Sequence, residues 1–241
     1  MLTGRQERFG RRPIRVAVLT SRRAPGLEHV LREQRVPGCG YEVVVGIASD
    51  PASDALPELR AAGVPAFTHD IRAFYRRRAA RLSDFAVRRE YDATTVQLLE
   101  PLGVELIVLS GYLHILTEPM LAEFPGRILN VHDSDLLCLG PGGVPAYRGL
   151  RATRDALLAG ETETRSSVHL VTAEVDVGPV IVRSAAFRVE AEISRALRDR
   201  DARSFKAGAY AQRERMMQEW GPLLVEAIER VGEPAYTGAE V

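Results

Sequence analysis

Short runs of apolar, often β-branched residues recur along this chain, separated by longer stretches whose apolar residues fall at helical spacing. A short run that is apolar at nearly every position is buried on both faces, as the inner strands of a helix-covered parallel sheet are. The alternation restricts the chain to an α/β architecture, with a mostly parallel central sheet flanked by crossover helices.

The runs can be placed in order. Ile14 to Thr20 (IRVAVLT), apolar apart from Arg15, reads as a buried first strand, followed by a turn from Ser21 to Gly26 and a helix from Leu27 to Arg35. Val43 to Ala48 forms a second strand, Leu56 to Ala62 a helix, and Ala66 to Thr68 a short edge strand. An Arg-rich amphipathic stretch runs from Ile71 to Leu102, with Arg76 to Arg78 expected on a solvated face. Glu105 to Ser110 and Ile128 to Val131 continue the sheet, and Ser167 to Thr172 and Val180 to Arg183 join it as antiparallel or edge members. From about Ala191 the chain turns helical, and Trp220, Leu223, Leu224, Ala227 and Ile228 form an apolar stripe. With no internal repeat or Gly/Ser-rich linker, residues 1–241 read as one domain. It comprises a flexible extension over 1–13, an α/β core over 14–189 and a helical segment over 190–241.

Composition narrows the class. A formal net charge of zero gives no global pull toward nucleic acid or an anionic membrane. No run approaches the 18 or so apolar residues of a membrane span, and the first twelve residues lack the apolar stretch of a secretory signal. Cys39 and Cys138 stand apart from any metal-ligand spacing, so a reducing cytoplasm is the expected setting. The cluster His132-Asp133-Ser134-Asp135 is too closely spaced to close a metal site without further ligands, and a metal-free site is expected.

In open α/β sheets ligands bind beyond the carboxyl ends of the strands. The strand beginning at Ile128 delivers Asn130 and His132 to such an edge, two residues apart on one face. Asp176 sits before Gly178-Pro179, where the chain must turn. The segments LIVLSGYLHILTEPMLAEFPGRILN, ILNVHDSD, PAYRGLRATRDALLAG and SSVHLVTAEVDVGPVIV resemble, in order and spacing, the folate-dependent formyltransferases, glycinamide ribonucleotide transformylase above all. The resemblance runs roughly from Ile14 to Val189 and again over QEWGPLLVEAIERV.

It implies a Rossmann-like formyltransferase fold, with 10-formyltetrahydrofolate as formyl donor and a small-molecule amine as acceptor. Asn130, His132 and Asp176 match the family's catalytic positions. An amine adding to the formyl carbon creates a tetrahedral oxyanion that needs preorganised donors, which Asn130 and His132 would supply. Asp176 would favour a charged imidazole and collect the ammonium proton. The folate pocket is expected from Leu113, His114, Ile115 and Leu116, facing Ile128 and the segment Thr172, Ala173, Glu174 and Val175. His114 replaces a longer cation frequent in the family. His169, in the middle of a strand, is expected to be a buried structural residue with room for a supporting role.

Departures from the pattern concern the acceptor. A Gly-rich phosphate loop is replaced by Ser21-Arg22-Arg23-Ala24-Pro25-Gly26, where Pro25 offers no backbone donor. Arg22 and Arg23 remain candidates to hold an anion by side-chain contacts. Asp133 and Asp135 add negative charge beside the site, suited to a cationic amine, and a Gly/Pro-rich insertion runs from Cys138 to Ala146. Three readings follow: formylation of some other small amine, which is preferred, formylation of glycinamide ribonucleotide, or a catalytically silent folate sensor. A nicotinamide-dependent oxidoreductase is set aside, since no G-x-G-x-x-G follows the first strand.

Overall fold

In a computed structural model of the chain, residues 12–232 are described. The extension expected over 1–13 therefore lies outside them, apart from Arg12 and Pro13. Strands β1 (Ile14–Thr20), β2 (Tyr41–Ala48), β3 (Ala66–Thr68), β4 (Leu106–Leu109) and β5 (Ile128–His132) run parallel, and β7 (Ser167–Leu170) and β8 (Val180–Arg183) close the sheet antiparallel to their neighbours. The order is β3-β2-β1-β4-β5-β7-β8, so the winding reverses between β1 and β4. Such a reversal opens a crevice at the carboxyl ends of the two strands.

Side-chain alternation sorts the inner strands cleanly onto two faces. Val16 and Val18 of β1, Leu106 and Val108 of β4, and Leu129 and Val131 of β5 point into one core layer. That layer is covered by α1 (Leu27–Glu33) and by Trp220, Leu224 and Ile228 of α9 (Trp220–Gly232). Ala17, Leu19, Ile107, Leu109 and Ile128 point to the other, covered by α4 (Phe85–Leu99) and α5 (Glu118–Glu123). A bulge at Val44 shifts β2 by one residue against β1, so Val43 joins the first layer and Val45 the second. Truncating a filled position such as Leu59 of α2 (Ala55–Ala61), fully buried against Gly46, costs about 2–5 kcal/mol in sites of this kind.

The stretch from Ile71 to Leu102 is not one helix. It divides into α3 (Ile71–Arg77) and α4, with a 3₁₀ turn at Glu100–Leu102. Ala79 takes a left-handed backbone after α3, and the Asp84 carboxylate accepts from the Ala86 and Val87 amides to start α4. Arg76 to Arg78 are exposed, and Arg78 lies over the Phe74 ring and pairs with Glu90. The expected helical end of the chain comprises α7 (Ala191–Arg198), α8 (Ala202–Met217) and α9, following α6 (Ala152–Leu158). A second, two-stranded sheet pairs β6 (Glu163–Thr164) with β9 (Phe187–Arg188). Strands of two residues show no periodicity, so the sequence did not announce them. Among the described residues no helix is long and apolar enough to cross a membrane.

One buried charge inside α4 has a measurable consequence. Asp92 is fully buried, accepts from the Thr117 amide and hydroxyl at 2.7 and 2.6 Å, and leaves its second oxygen without a partner among the described residues. Burial pushes its carboxyl up to about 6 against the opposing hydrogen bonds from Thr117. Between the ordinary carboxylate range and that value the folded protein holds a proton the unfolded chain has lost, so stability falls as pH rises through the window. Asp92→Asn should flatten this fall and gain roughly 1–3 kcal/mol at pH 7.5 relative to wild type. Urea unfolding of both proteins at pH 4 and pH 7.5 checks it, and an unchanged pH slope would refute it.

Candidate active site

Strand β5 steps by two along one face of the sheet. Ile128 is fully packed in the second core layer, and Asn130 and His132 continue the same face beyond the covering helices. There they border a cavity of about 600 Å³, also lined by the segment after β4 and the turn around Asp176. This is the size of a pocket for a cofactor-sized molecule.

The polar groups converge at its inner end. Antiparallel pairing sets His169 opposite Asn130, and the two side chains hydrogen-bond at 3.0 Å. His169 Nδ1 lies 2.9 Å from the Leu170 carbonyl; a proton on Nδ1 satisfies that contact and leaves Nε2 to accept from the Asn130 amide. The Asp176 carboxylate stands between two imidazoles, 3.7 Å from His132 Nδ1 and 3.6 Å from His169 Nε2. Both separations exceed a hydrogen bond. Its shortest contact is the 2.7 Å hydrogen bond it accepts from the Gly149 amide. Burial alone would raise this carboxyl, but His169, His132 and the Gly149 amide outweigh it and hold it at about 2. His132 Nε2 is buried at the cavity with no partner among the described residues. A buried imidazole nitrogen left open costs about 1–3 kcal/mol unless a ligand supplies its partner.

Two backbone features hold this arrangement. Asp176 itself adopts a left-handed conformation with φ of 56°, tolerated by Asp better than by most residues. Gly178 passes so close to β7 that an added Cβ would lie 1.9 Å from the Leu170 carbonyl oxygen.

The family described as formyl transferase matches residues 14–207. The chain belongs to that family. It is 32% identical over 91% of its length to glycinamide ribonucleotide transformylase 1 from Symbiobacterium toebii, whose chain is covered over 88% with a TM-score of 0.71. It is 32% identical to the trifunctional purine biosynthetic protein adenosine-3 of Drosophila melanogaster, over 75% of this chain and 12% of that protein. Phosphoribosylglycinamide formyltransferase of Escherichia coli K12 is 35% identical over 42% of this chain and 44% of the relative. The chain thus spans about an eighth of the trifunctional relative, as one portion of it. The expected α/β fold with its mostly parallel sheet is the one this formyl transferase family shares.

Within this formyl transferase framework, Asn130, His132 and Asp176 come together. Leu113, His114, Ile115 and Leu116 line the cavity, as do Thr172 and Val175. Leu113, Ile115, Val175 and the neighbouring Leu150 are large apolar residues that remain 40–71% exposed at its border, a surface that calls for an apolar ligand. Ile128, Ala173 and Glu174 do not line it. Ile128 sits one strand step too deep, and Glu174 turns outward to pair with Arg148. Burial, with Arg88 and Arg72 adding to it, lowers His114 to about 4, so at neutral pH it brings no charge. Arg88 lines a smaller adjoining space with His114, and its buried Nη1 has no partner among the described residues.

The acceptor candidates are redistributed. Arg22 faces Asp50 at 3.8 Å, and Arg23 pairs two-to-two with Glu214 at 2.8 and 3.0 Å, both away from the cavity lining. Both candidates for holding an anion thus face carboxylates of the chain itself. Asp135 likewise lies off the cavity, bound to Arg183 at 2.9 Å and near Arg165. Asp133 does line it, but pairs tightly with Arg213 of α8, so neither acid offers a free charge to a cationic amine. The residues 138–146 close on themselves through a bridge between Leu139 and Pro145 and do not reach the main cavity. His169 is buried as expected, yet it is also the direct partner of Asn130. Its place opposite Asn130 follows from the register of β7 on β5, which the sequence did not show. Arg213, Trp220 and Gly149 also line it; Gly149 and Trp220 lie in segments that carry the family resemblance, and Arg213 does not.

Gly111, at the turn after β4, anchors the cavity mouth. Its φ is +64°, and an added Cβ would stand 1.9 Å from the Arg23 carbonyl oxygen. Gly111→Ala should therefore destabilise by more than about 2 kcal/mol, combining left-handed strain with a backbone clash. Gly142→Ala, at φ +81° with nothing near its Cβ, should cost only about 1 kcal/mol. Equal losses in urea unfolding would show that the contact with Arg23 is not what requires glycine.

Proposed function

We propose that this chain transfers a formyl group from 10-formyltetrahydrofolate to the primary amine of a small-molecule acceptor, as one cytoplasmic formyltransferase domain. The observation that carries the reading is the unpartnered Nε2 of His132, buried at the cavity with Asn130 beside it and Asp176 behind its other nitrogen. Family membership supports the chemistry, and the apolar border of the cavity supports a pterin-sized donor with few polar contacts.

The residues divide the work as follows. Asn130 and His132 Nε2 donate to the oxyanion that develops when the amine adds to the formyl carbon. Asp176 keeps its charge, faces the Nδ1 side of His132 and receives the proton that the attacking nitrogen must lose. His169 holds the Asn130 carboxamide in place. The carbon–nitrogen bond to the acceptor forms, the bond to the folate nitrogen breaks, and the proton ends on that leaving nitrogen.

A second reading takes glycinamide ribonucleotide as the acceptor. It is supported by the names of the similar proteins, which include glycinamide ribonucleotide transformylase 1 from Symbiobacterium toebii. The loop at 21–26 weighs against a phosphate held by backbone amides, as Pro25 lacks one and both its arginines are paired internally.

Mixing the protein with 10-formyltetrahydrofolate and a panel of amines, while following release of tetrahydrofolate, separates the readings. The panel includes glycinamide ribonucleotide, amino sugars and diamines. Release should depend on an amine, and Asn130→Ala or His132→Ala should each slow it by about 100- to 1000-fold. Folate binding without consumption of the formyl group under any amine would sink transfer in favour of a sensor.

A further inference from the structure

The cavity contains one arginine among its described lining residues, and that arginine is held as a receptor would be held. Arg213 projects from α8, whose buried stripe Phe205, Ala209, Gln212 and Met216 fastens the helix to the body of the protein. Gln212 fixes the register beside it by donating to Thr164 Oγ1 at 2.7 Å and to the Phe187 carbonyl at 3.2 Å. Arg213 Nε donates to Asp133 Oδ2, and Asp133 is only 5% exposed and follows His132 directly. The guanidinium carbon lies 5.9 Å from the centre of the Trp220 ring, and Trp220 is pinned through its 2.8 Å hydrogen bond to Ser166. One edge of the guanidinium is thus occupied. Its two terminal amino groups make no hydrogen bond within the described residues, although the side chain is 38% exposed at a cavity.

We infer that Arg213 receives an anionic group of the acceptor, a carboxylate or a phosphate, through its two terminal amino groups. The identity of that ligand as the acceptor rests on the transfer reading above; the anion site itself does not. An orienting carboxylate on Nε is what turns a flexible arginine into a fixed fork, and a fixed fork matches a two-oxygen anion better than a point charge does. The Asp133–Arg213 pair is neutral overall, so selection operates through the geometry of the donors more than through net charge. The other candidates are engaged elsewhere: Arg22 faces Asp50, and Glu214 takes both terminal nitrogens of Arg23. Arg213 would therefore do with a side chain what residues 21–26 cannot do with backbone amides.

Trp220 is the chain's single tryptophan and lines the same cavity, so its emission reports on Arg213 directly. Inorganic phosphate and acetate, titrated separately at constant ionic strength, should give a saturable change with at least one of them. In Arg213→Gln the binding should weaken at least tenfold. That variant strands a buried carboxylate, so the double variant Asp133→Asn/Arg213→Gln, which removes it, should show the same loss. Arg213→Lys, which keeps a cation for Asp133 but not the fork, should fall between. Saturation by phosphate alone assigns a phosphorylated acceptor, such as a ribotide, and saturation by acetate a carboxylated one. No saturable response in wild type, or one unchanged in all three variants, overturns the inference and leaves the ion pair a structural strut. Tetrahydrofolate binding, followed by the same emission, should persist in every variant. A preserved anion response with no folate binding in any protein would instead sink the transfer reading alone.

Discussion

The pairing of β7 onto β5 is the constraint from which the site follows. Because β7 is antiparallel, His169 falls opposite Asn130, and the chain leaving β7 turns back over the sheet edge through Asp176 before entering β8. A slip of one residue would turn Val168 and Leu170 out of their core layer and His169 into it, exchanging apolar for polar burial along the whole strand. Register here is set by the hydrophobic pattern, and the placement of the polar groups follows at no separate cost. Gly178 shows how tight the return is, since the turn grazes the Leu170 carbonyl where only a hydrogen side chain fits.

Electrostatics then gives the site its direction. A carboxylate buried to the extent of Asp176 would ordinarily be driven toward its neutral form, yet two imidazoles and one backbone amide keep it ionised. The charge is held on the inner side of His132, so the ring's remaining nitrogen, with no partner among the described residues, faces the cavity. Asp92, in α4, shows the contrast. It has hydrogen bonds from Thr117 but no cation close enough to outweigh burial, and its carboxyl rises. The same residue type is pushed in opposite directions by what surrounds it.

What could be read from the sequence divides along physical lines. The inner strands were legible because burial on both faces leaves a continuous apolar run, whereas Asn130, His132 and Asp176 were singled out through the family resemblance, since a strand end or a turn by itself does not show that the three converge. The break between α3 and α4 was harder, since amphipathic spacing continues through it and only the capping role of Asp84 marks the boundary. Ile128 was misplaced by one strand step, which separates a core position from a cavity wall. Pairings between distant segments left no trace in local pattern. Arg23 with Glu214 and Asp133 with Arg213 each join residues far apart in the chain, and a charge in a loop looks the same whether it faces water or a partner.

Those two ion pairs have a common logic. A glycine-rich loop can wrap an anion with backbone amides because nothing stands between the chain and the ligand. In residues 21–26 the arginine side chains and Pro25 remove that option, and Ser110 caps the Pro25 carbonyl at 2.8 Å while Gly111 abuts that of Arg23, so the loop is held by its own carbonyls against the turn after β4. The loop's cation is then balanced by Glu214 on α8, and the next residue of the same helix, Arg213, enters the cavity with Asp133 as its counter-charge. One helix thus settles both charges. If Arg213 holds the anion of the acceptor as inferred above, changes on α8 alone would alter which amine is taken without disturbing Asn130, His132 or Asp176.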